Sequence, residues 1–473
     1  MSGASPRQLG WFFATFAALF VTLVSVPVWL RATGFGFANY DFGIYSQAVA
    51  RLAVDPPNPW LSGRQLHLFN DHFDPVLFLT VPFARLFPAA KVGLVFESLS
   101  VLLALLPLMW LAREGRLSLR GLWLLGALLS FGVGVTLSVN FPVHPTTWAL
   151  APMAWLLAAL LLERWRTALV ALVLLLACKE EFPFVGLALA PFVFARAPRK
   201  VGFAFAGLSL AWGVFALVLR PRLLGEVMPY ESVPFRGLEA GLGAFFAQRL
   251  GRDPLLAMGD LVGAFLPLAA WLTWERVRHG VRVGRAGWWL AAALVPMLGI
   301  RFLAMAWREH YGAVVVAAAV LALAAMLEGR RPPWWVLIST LVLLITTNEN
   351  LLRRDLLGLS GTQGWAASAG CSDAPGRRQA VTQALELMRS APGPLFVSGN
   401  LLPWLAERGD VYAFGGPQPP EVRPHSVLLE RPPCGDTWAM PLAEREALYA
   451  RWQGEPGVTV LVDDESVFAA VVP

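Results

Sequence analysis

Charged side chains are scarce in this 473-residue chain. Only 15% of its residues are charged, and 56% are hydrophobic, whereas an average soluble domain carries roughly 25% charged residues. Polar linkers that would divide the chain into small soluble domains are almost absent before residue 348. These absences argue against a soluble multidomain enzyme and favour a protein that crosses a membrane several times.

Cysteine is also rare. The three cysteines form no CxxC or Cys/His cluster, so the sequence does not support a structural zinc site. Cys178 lies in an apolar run and is predicted to be a buried thiol. Cys371 and Cys434 lie in the polar C-terminal part, where two interpretations stay open: a disulfide, if this part is extracytoplasmic, or two free thiols.

The basic excess is confined to the apolar part of the chain. Residues 1–347 hold 28 basic and 17 acidic side chains, a balance of +11, whereas residues 348–473 hold 10 and 15, a balance of −5. A nucleic-acid-binding protein would carry its basic excess on a soluble face. We therefore expect no nucleic-acid partner.

Long apolar runs predict the membrane spans, each of which needs about 20 mostly apolar residues. The first run is too long for a cleavable signal peptide, and no small-residue cleavage site follows it. We predict eleven spans, of which the fifth and sixth are short: 9–30, 91–112, 119–139, 146–162, 166–178, 182–195, 201–219, 255–274, 288–305, 311–327 and 334–347.

The distribution of basic residues between short loops predicts the orientation. One set of loops carries 15 arginines and lysines, from Arg7 to Arg331, while the short loops on the other side carry only Lys179 and Arg308. The N-terminus is therefore predicted to be cytoplasmic. With eleven crossings, residues 348–473 are placed outside.

Three segments are predicted outside the membrane. An outer loop spans 31–90, and its stretch 75–87 is too short to span and is expected to lie in the interface as an amphipathic helix. A second outer loop spans 220–254. Residues 348–473 alternate strand and helix patterns and predict a small α/β domain. The fold class is thus mainly α: a polytopic bundle over 1–347 with this outer domain.

Asp41 is the first of several polar residues that this topology collects on the outer face. A carboxylate just past the first span is suited to act as general base on an acceptor hydroxyl. It is equally suited to cap a helix from Phe42 to Leu52. The two roles are compatible.

The run Lys179-Glu180-Glu181 interrupts two short apolar spans at the outer boundary. Ionisable groups near membrane depth are costly and by default indicate function, although an ordinary polar turn is the alternative. Lys179, with Arg308 and His310, is suited to bind a phosphate. For the arginine and histidine, interfacial snorkelling is the competing explanation.

Other polar residues on this face carry weaker signals. His144 lies in a Pro-flanked turn and either contributes to a site or satisfies carbonyls at a helix end. His72 and Asp74 are metal-friendly types at a spacing that matches no ligand pattern, so no metal site is predicted. No glycine loop has the strand and helix context that nucleotide binding requires.

These motifs together resemble a family. The segment Asp41–Gln47, the run His72–Leu77, His144-Pro145, Lys179-Glu180-Glu181 and the entry Arg308–Tyr311 look like an uncharacterised prokaryotic family of polytopic predicted membrane proteins. That family is similar to GT-C-type glycosyltransferases. The likeness spans nearly the whole chain, and residues 396–408 look like the family's outer domain.

The resemblance implies an activity at the outer face of a bacterial plasma (inner) membrane. It implies a sugar donor linked to polyprenyl phosphate, membrane lipids as partners and an acceptor that the sequence does not identify. It places Asp41 as the base; Tyr40 precedes it, where many GT-C enzymes have a second acidic residue. Glu181 stands where the family often has Asp.

A full set of roles follows from this reading. Catalytic roles fall to Asp41, Glu180 and Glu181, and no cofactor is required, although a divalent cation is compatible. A transporter or lipid flippase and a non-catalytic assembly protein are the alternatives, but we find no inverted repeat of the kind that transporters carry. Substrate-binding roles fall to Gln47, His72, Asp74, His144, Lys179, Arg308, His310 and Tyr311.

Overall fold

A computed structural model describes nine segments of the chain: residues 3–37, 40–56, 59–225, 238–280, 285–304, 311–347, 376–416, 421–431 and 440–473. Its α-helices before residue 348 are Pro6–Phe20, Val26–Thr33, Tyr40–Val54, Leu68–Asp71, Val81–Ala84, Ala89–Arg113, Leu119–Phe131, Val133–Asn140, Pro145–Trp148, Leu150–Leu161, Trp165–Leu176, Pro183–Arg196, Arg199–Val214, Arg220–Leu224, Leu242–Arg249, Arg252–Gly263, Leu266–His279, Arg285–Ala291, Leu294–Ala304, Ala313–Met326 and Trp334–Thr347. Two π-helical turns, Val21–Ser25 and Phe215–Leu219, continue helices, and 3-10 helices span Pro75–Thr80 and Leu238–Ala240. The mainly α class is confirmed.

Helices occupy the positions of the predicted spans. In the described residues five helices are long and apolar enough to cross a membrane: Pro6–Thr33, Ala89–Arg113, Leu119–Asn140, Arg199–Leu224 and Arg285–Ala304. Shorter apolar helices lie at other predicted spans, and the predicted span 255–274 is divided after Gly263. Pro267, which has no backbone N–H to donate, lies in the first turn of the second piece. The total of eleven stays a prediction.

Packing inside the bundle explains why several helices are apolar on every side. Most side chains of Ala313–Met326 are buried, because this helix packs against Leu150–Leu161, Leu119–Phe131 and Arg285–Ala291. A helix that is hydrophobic all round belongs in a core or a membrane. Arg199–Val214, by contrast, buries few residues and exposes leucines and valines on one side, as a helix facing lipid does.

The C-terminal part contains a five-stranded sheet. Its strands are β3 (Leu395–Val397), β4 (Val411–Ala413), β5 (Ser426–Glu430), β6 (Thr459–Asp463) and β7 (Val467–Val471), numbered after the short hairpin β1 (Trp60–Leu61) and β2 (Leu66–His67). The order is β4-β3-β5-β7-β6; β3 pairs in parallel with β4 and β5, and β7 is antiparallel to β5 and β6. Helices Arg377–Ser390 and Leu442–Gly454 and the 3-10 helix Gly399–Leu405 complete this region, which confirms the α/β expectation.

The sheet region is fastened to the helix that carries Asp41. The 3-10 helix Gly399–Leu405 packs on Tyr40–Val54, and Gly43 faces Leu402 so closely that a methyl group added to Gly43 would lie 2.5 Å from Leu402 Cδ2. Asn400 donates to the carbonyl of Phe35 at 3.2 Å. The sheet region therefore helps to fix where the Asp41 helix begins.

Candidate functional site

The candidate site is assembled where the segment 64–76 lies on the turn 177–181. The backbone N–H of Val76 donates to the carbonyl of Ala177 at 2.9 Å, at the end of helix Trp165–Leu176. This bond joins two segments about a hundred residues apart in the chain. It sets Asp74 and His72 beside Lys179 and Glu180.

Asp41 lies in the first turn of helix Tyr40–Val54 rather than at the cap preceding it. A negative charge there is favoured by the helix dipole. The side chain is half-buried. Burial raises the pKa of the Asp41 carboxyl, although nearby Arg64, His72 and Lys179 oppose the rise. A carboxylate with a raised pKa is a stronger base than one in water.

Arg64 and Asp71 form a bidentate ion pair at the edge of the site. Arg64 Nε donates to Asp71 Oδ2 at 3.1 Å and Nη2 to Oδ1 at 3.2 Å. Asp71 is buried. The pair joins the β1–β2 hairpin to the short helix after it, and it keeps a fixed positive charge near Asp41.

Glu180 binds the His72 segment directly. His72 Nδ1 lies 2.9 Å from Glu180 Oε1, and the backbone N–H of Phe73 donates to Oε2 at 3.1 Å. Burial opposes both charges, but His72 and Lys179 hold the pKa of Glu180 well below its usual range. Burial and Lys179 likewise oppose a charge on His72, yet Glu180 outweighs them and raises the pKa of His72. The two groups therefore form an ion pair.

Glu181 has a different partner, Arg301. The guanidinium donates twice, from Nη1 to Oε2 at 3.0 Å and from Nη2 to Oε1. It also lies 4.6 Å from the centroid of the Tyr311 ring. Arg301 was not predicted as a site residue, although an arginine inside the apolar run 288–305 is a recognisable signal.

Lys179 is buried, at 5% exposure. Its ammonium lies 5.6 Å from the centroid of the Tyr311 ring, and no described residue accepts a hydrogen bond from it. Burial disfavours its charge, but Tyr311, Glu180 and Glu181 outweigh burial and raise the pKa of Lys179. A buried ammonium with open hydrogen-bonding capacity is suited to an anion.

Asp74 is the most deeply buried of the carboxylates in the site. It is fully buried, and Tyr45 donates its hydroxyl to Asp74 Oδ2 at 2.9 Å. Burial raises the pKa of Asp74 to about 7, and its Oδ1 has no hydrogen-bond partner among the described residues. Sequence reasoning placed Asp74 here but missed Tyr45, which gave no signal beyond its place in the Asp41–Gln47 segment.

His144 joins the site through Tyr45. The two rings meet edge to face with centroids 4.7 Å apart, and His144 Nδ1 accepts from the N–H of Thr146 at 3.3 Å, so it caps the start of a helix. Glu97, which sequence reasoning missed, accepts from the backbone N–H of His144 at 3.2 Å and from Trp148 Nε1 at 2.7 Å.

Gln47 is bound by the protein itself. Its amide donates to Ser62 Oγ at 3.1 Å and to the carbonyl of Val411 at 3.3 Å, and its carbonyl accepts from the N–H of Gly63 at 3.1 Å. These bonds link the Asp41 helix, the β1–β2 hairpin and β4. A substrate-binding role for Gln47 stays a prediction.

Some predicted residues lie outside the described part of the chain: Arg308, His310, Cys371 and Cys434. Cys178 is described and is a buried free thiol. It lines an apolar cavity of about 400 Å3 together with Val76, Trp148 and Leu174. Within the described residues, no group of three carboxylate, imidazole or thiol side chains is arranged to hold a metal ion.

Comparison with known proteins supports the family resemblance and the fold. Residues 31–232, under half of the chain, match the family described as "Predicted membrane protein (DUF2079)", which confirms the resemblance over the part that carries Asp41, His144 and Lys179. No curated protein sequence matches the chain significantly.

Two solved structures of ArnT from Cupriavidus metallidurans share the fold. The structure bound to undecaprenyl phosphate is 15% identical, with a TM-score of 0.52 over 96% of this chain and 97% of that one. The apo structure is 14% identical, with a TM-score of 0.54 over 96% and 98%. At this identity the likeness shows the architecture alone, which is that of GT-C glycosyltransferases.

A third structure gives the same fold from a larger protein. Arabinofuranosyltransferase AftD from Mycobacteria is 14% identical, with a TM-score of 0.51, and the match covers 99% of this chain but 42% of that one. The chain is thus a multi-pass membrane protein with a GT-C glycosyltransferase-like fold.

Proposed function

We propose that this protein is an integral-membrane glycosyltransferase that moves a sugar from a polyprenyl-phosphate carrier to an acceptor at the outer face of the bacterial plasma membrane. The observation that carries the proposal is the meeting of Asp41 and Lys179 in one site. A carboxylate with a raised pKa and a buried ammonium without an acceptor supply a base and an anion site. The GT-C-like fold supports the same reading.

The proposed reaction is a displacement at the anomeric carbon. The acceptor hydroxyl attacks that carbon, and its proton passes to Asp41. The bond between the anomeric carbon and the phosphate oxygen breaks, and the carrier leaves as polyprenyl phosphate. Lys179, with Arg308 and His310 from the sequence, neutralises the charge that develops on the phosphate.

The remaining predicted residues have proposed roles around this pair. Glu180 holds His72, and Glu181 holds Arg301, so both glutamates orient cations beside the reacting groups. We assign the sugar hydroxyls to Asp74, His72 and Tyr311, which line the same site.

The lipid chain has a candidate place beside the site. Cys178 and Val76, which line the apolar cavity, are close in sequence to site residues: Cys178 directly precedes Lys179, and Val76 is two positions after Asp74. A phosphate at Lys179 would leave the first isoprene units at this cavity. Burial of each methylene there contributes about 0.8 kcal/mol.

Complementation in a deletion strain tests the proposal. Asp41→Asn and Lys179→Ala are expected to lose the surface or lipid-linked glycan that the wild-type gene restores, while membrane levels of the protein stay equal. Asp55→Asn and Lys200→Ala are matched controls, because both side chains are exposed. Unchanged glycans in both site variants would remove the catalytic assignment, and a deletion without glycan change would remove the enzyme class.

A further inference from the structure

Arg220 is buried at the outer end of a helix that otherwise faces outward. The helix runs from Arg199 to Leu224. Leu219 and Leu223 expose 42% and 71% of their surfaces, whereas Arg220 between them is 5% exposed. The guanidinium is therefore turned toward the protein. An ionisable group buried in a membrane helix indicates function by default.

Among the described residues, the guanidinium of Arg220 has no anionic partner. In that part of the chain its buried Nε and Nη1 atoms also have no hydrogen-bond acceptor. It lies 6.0 Å from the centroid of the Phe73 ring, which is the outer limit of a cation–π contact. Such a contact offsets little of the free energy that is lost when an unpaired charge is removed from water.

Trp212 adds a second open donor at the same ring. Its ring centroid lies 5.5 Å from that of Phe73, and its buried Nε1 has no acceptor within the described part of the chain. Guanidinium and indole nitrogens only donate hydrogen bonds. A group that satisfies both side chains must accept hydrogen bonds, and beside a guanidinium an anion does so best.

The local helix geometry turns both side chains toward one side of the helix. Residues eight apart in a regular α-helix are separated by about 80° around its axis. The π-helical turn Phe215–Leu219 lies between Trp212 and Arg220, and its wider turn advances less per residue, which rotates the two side chains toward one face. Such turns are frequent at functional sites.

We propose that Arg220 and Trp212 bind the phosphate group of a membrane lipid. The helix exposes apolar side chains along its length, and Arg220 lies near its outer end, where lipid head groups are found. A planar guanidinium matches a phosphate in charge and geometry. The site borders the glycosyl-transfer site through Phe73, whose backbone N–H binds Glu180, but it does not depend on the proposed function.

Lipid binding to the purified full chain in a neutral detergent tests this site. The probes are a polyprenyl monophosphate, phosphatidylglycerol, the uncharged polyprenol and inorganic phosphate. We expect both phosphate lipids to bind and the polyprenol not to. The phosphate lipid that binds more tightly is identified as the class of lipid that occupies the site. Equal binding of polyprenol, or displacement by inorganic phosphate with no lipid binding, would overturn the proposal.

Substitutions assign the binding to these residues. Arg220→Gln is expected to weaken phosphate-lipid binding at least tenfold, since it removes a charge-assisted hydrogen bond; Trp212→Phe keeps the ring and weakens binding a few-fold. Arg222→Gln is the matched control, because Arg222 is exposed on the same helix and should bind as wild type does. Unchanged binding by Arg220→Gln contradicts the proposal.

Thermal stability separates a ligand site from a structural role. In lipid-free detergent Arg220→Met should melt at or above the wild-type temperature, because it removes an uncompensated charge. Phosphate lipid should raise the melting temperature of the wild type and not that of the variant. A lower melting temperature without lipid, together with unchanged lipid binding, would make Arg220 structural. If the protein proves to have no glycosyl-transfer activity, the expected lipid-binding and melting results for Arg220 stay the same.

Discussion

The C-terminal sheet region and the apolar helix Arg199–Leu224 bury arginine in opposite ways. In the sheet region Arg377, 3% exposed, donates to Glu430 and, at 2.8 Å, to the carbonyl of Gly34. Arg220 is buried to nearly the same degree, but among the described residues its guanidinium has no anionic partner, and its Nε and Nη1 have no acceptor. The sheet region uses its arginine to hold two elements together, whereas the helix leaves its arginine without a described partner, as the proposed lipid site requires.

The candidate functional site combines both arrangements. Arg64 and Arg301 are each held by a carboxylate from another segment, and these pairs fix the loops. Lys179 is surrounded by carboxylates without a hydrogen bond to them. A rigid frame of paired charges around a free cation is the arrangement that preorganised electrostatic catalysis requires.

Breaking the sheet-region pair should give the largest stability effect. Arg377→Met is expected to lower the unfolding free energy by about 3–5 kcal/mol, because Glu430 keeps a buried charge without a partner. Denaturant unfolding followed by tryptophan fluorescence measures it. Arg378→Met, an exposed neighbour, is the control. A loss for Arg220→Met as large as that for Arg377→Met would erase the contrast between the regions.

Asp74 should make the stability of the candidate functional site sensitive to pH. Its pKa of about 7 lies above its ordinary value of 3.8, so the wild type loses stability as the pH rises from about 4 to about 7, by at most roughly 1.4 kcal/mol per pH unit. Asp74→Asn cannot ionise and still accepts from Tyr45. The melting temperature of Asp74→Asn minus that of the wild type should increase up to pH 7 and then stay constant. A difference that does not change with pH would contradict the link between Asp74 ionisation and stability.

The contact between the two regions should give a smaller effect. Gly43→Ala places a methyl group against Leu402, and overpacking of this kind costs about 1–3 kcal/mol. Leu402→Ala in the same chain should recover part of that loss, as a double-mutant cycle of unfolding free energies would show. Purely additive losses would mean that Gly43 and Leu402 are not coupled.

The sequence predicts local elements better than the contacts between them. The regular apolar spacing of residues 377–390 predicts a helix, and the structure has a helix at Arg377–Ser390. Strand β7 was not predicted: it lies between β5 and β6 with most of its side chains buried, so it shows no alternation of apolar and polar residues.

The contacts between the site residues were predicted less completely than the residues themselves. The sequence indicates Asp41, His72 and Lys179 as site residues, because ionisable side chains are costly at their predicted positions near the membrane. The pairs His72–Glu180 and Glu181–Arg301 join residues 108 and 120 positions apart, and no periodicity in the sequence encodes such distances. Glu97 is a single charge inside the apolar run 91–112, and Arg220 directly follows the run 201–219, so both positions carry the same kind of signal.

Turnover of a labelled polyprenyl-phosphate sugar by the reconstituted protein, with membrane extract as acceptor, tests the central claim most directly. We predict that Asp41→Asn lowers the transfer rate roughly 10²–10⁴-fold while donor binding is retained, and that Lys179→Ala weakens donor binding. Wild-type turnover by Asp41→Asn, with the donor bound normally, would contradict the assignment of this outer site to glycosyl transfer.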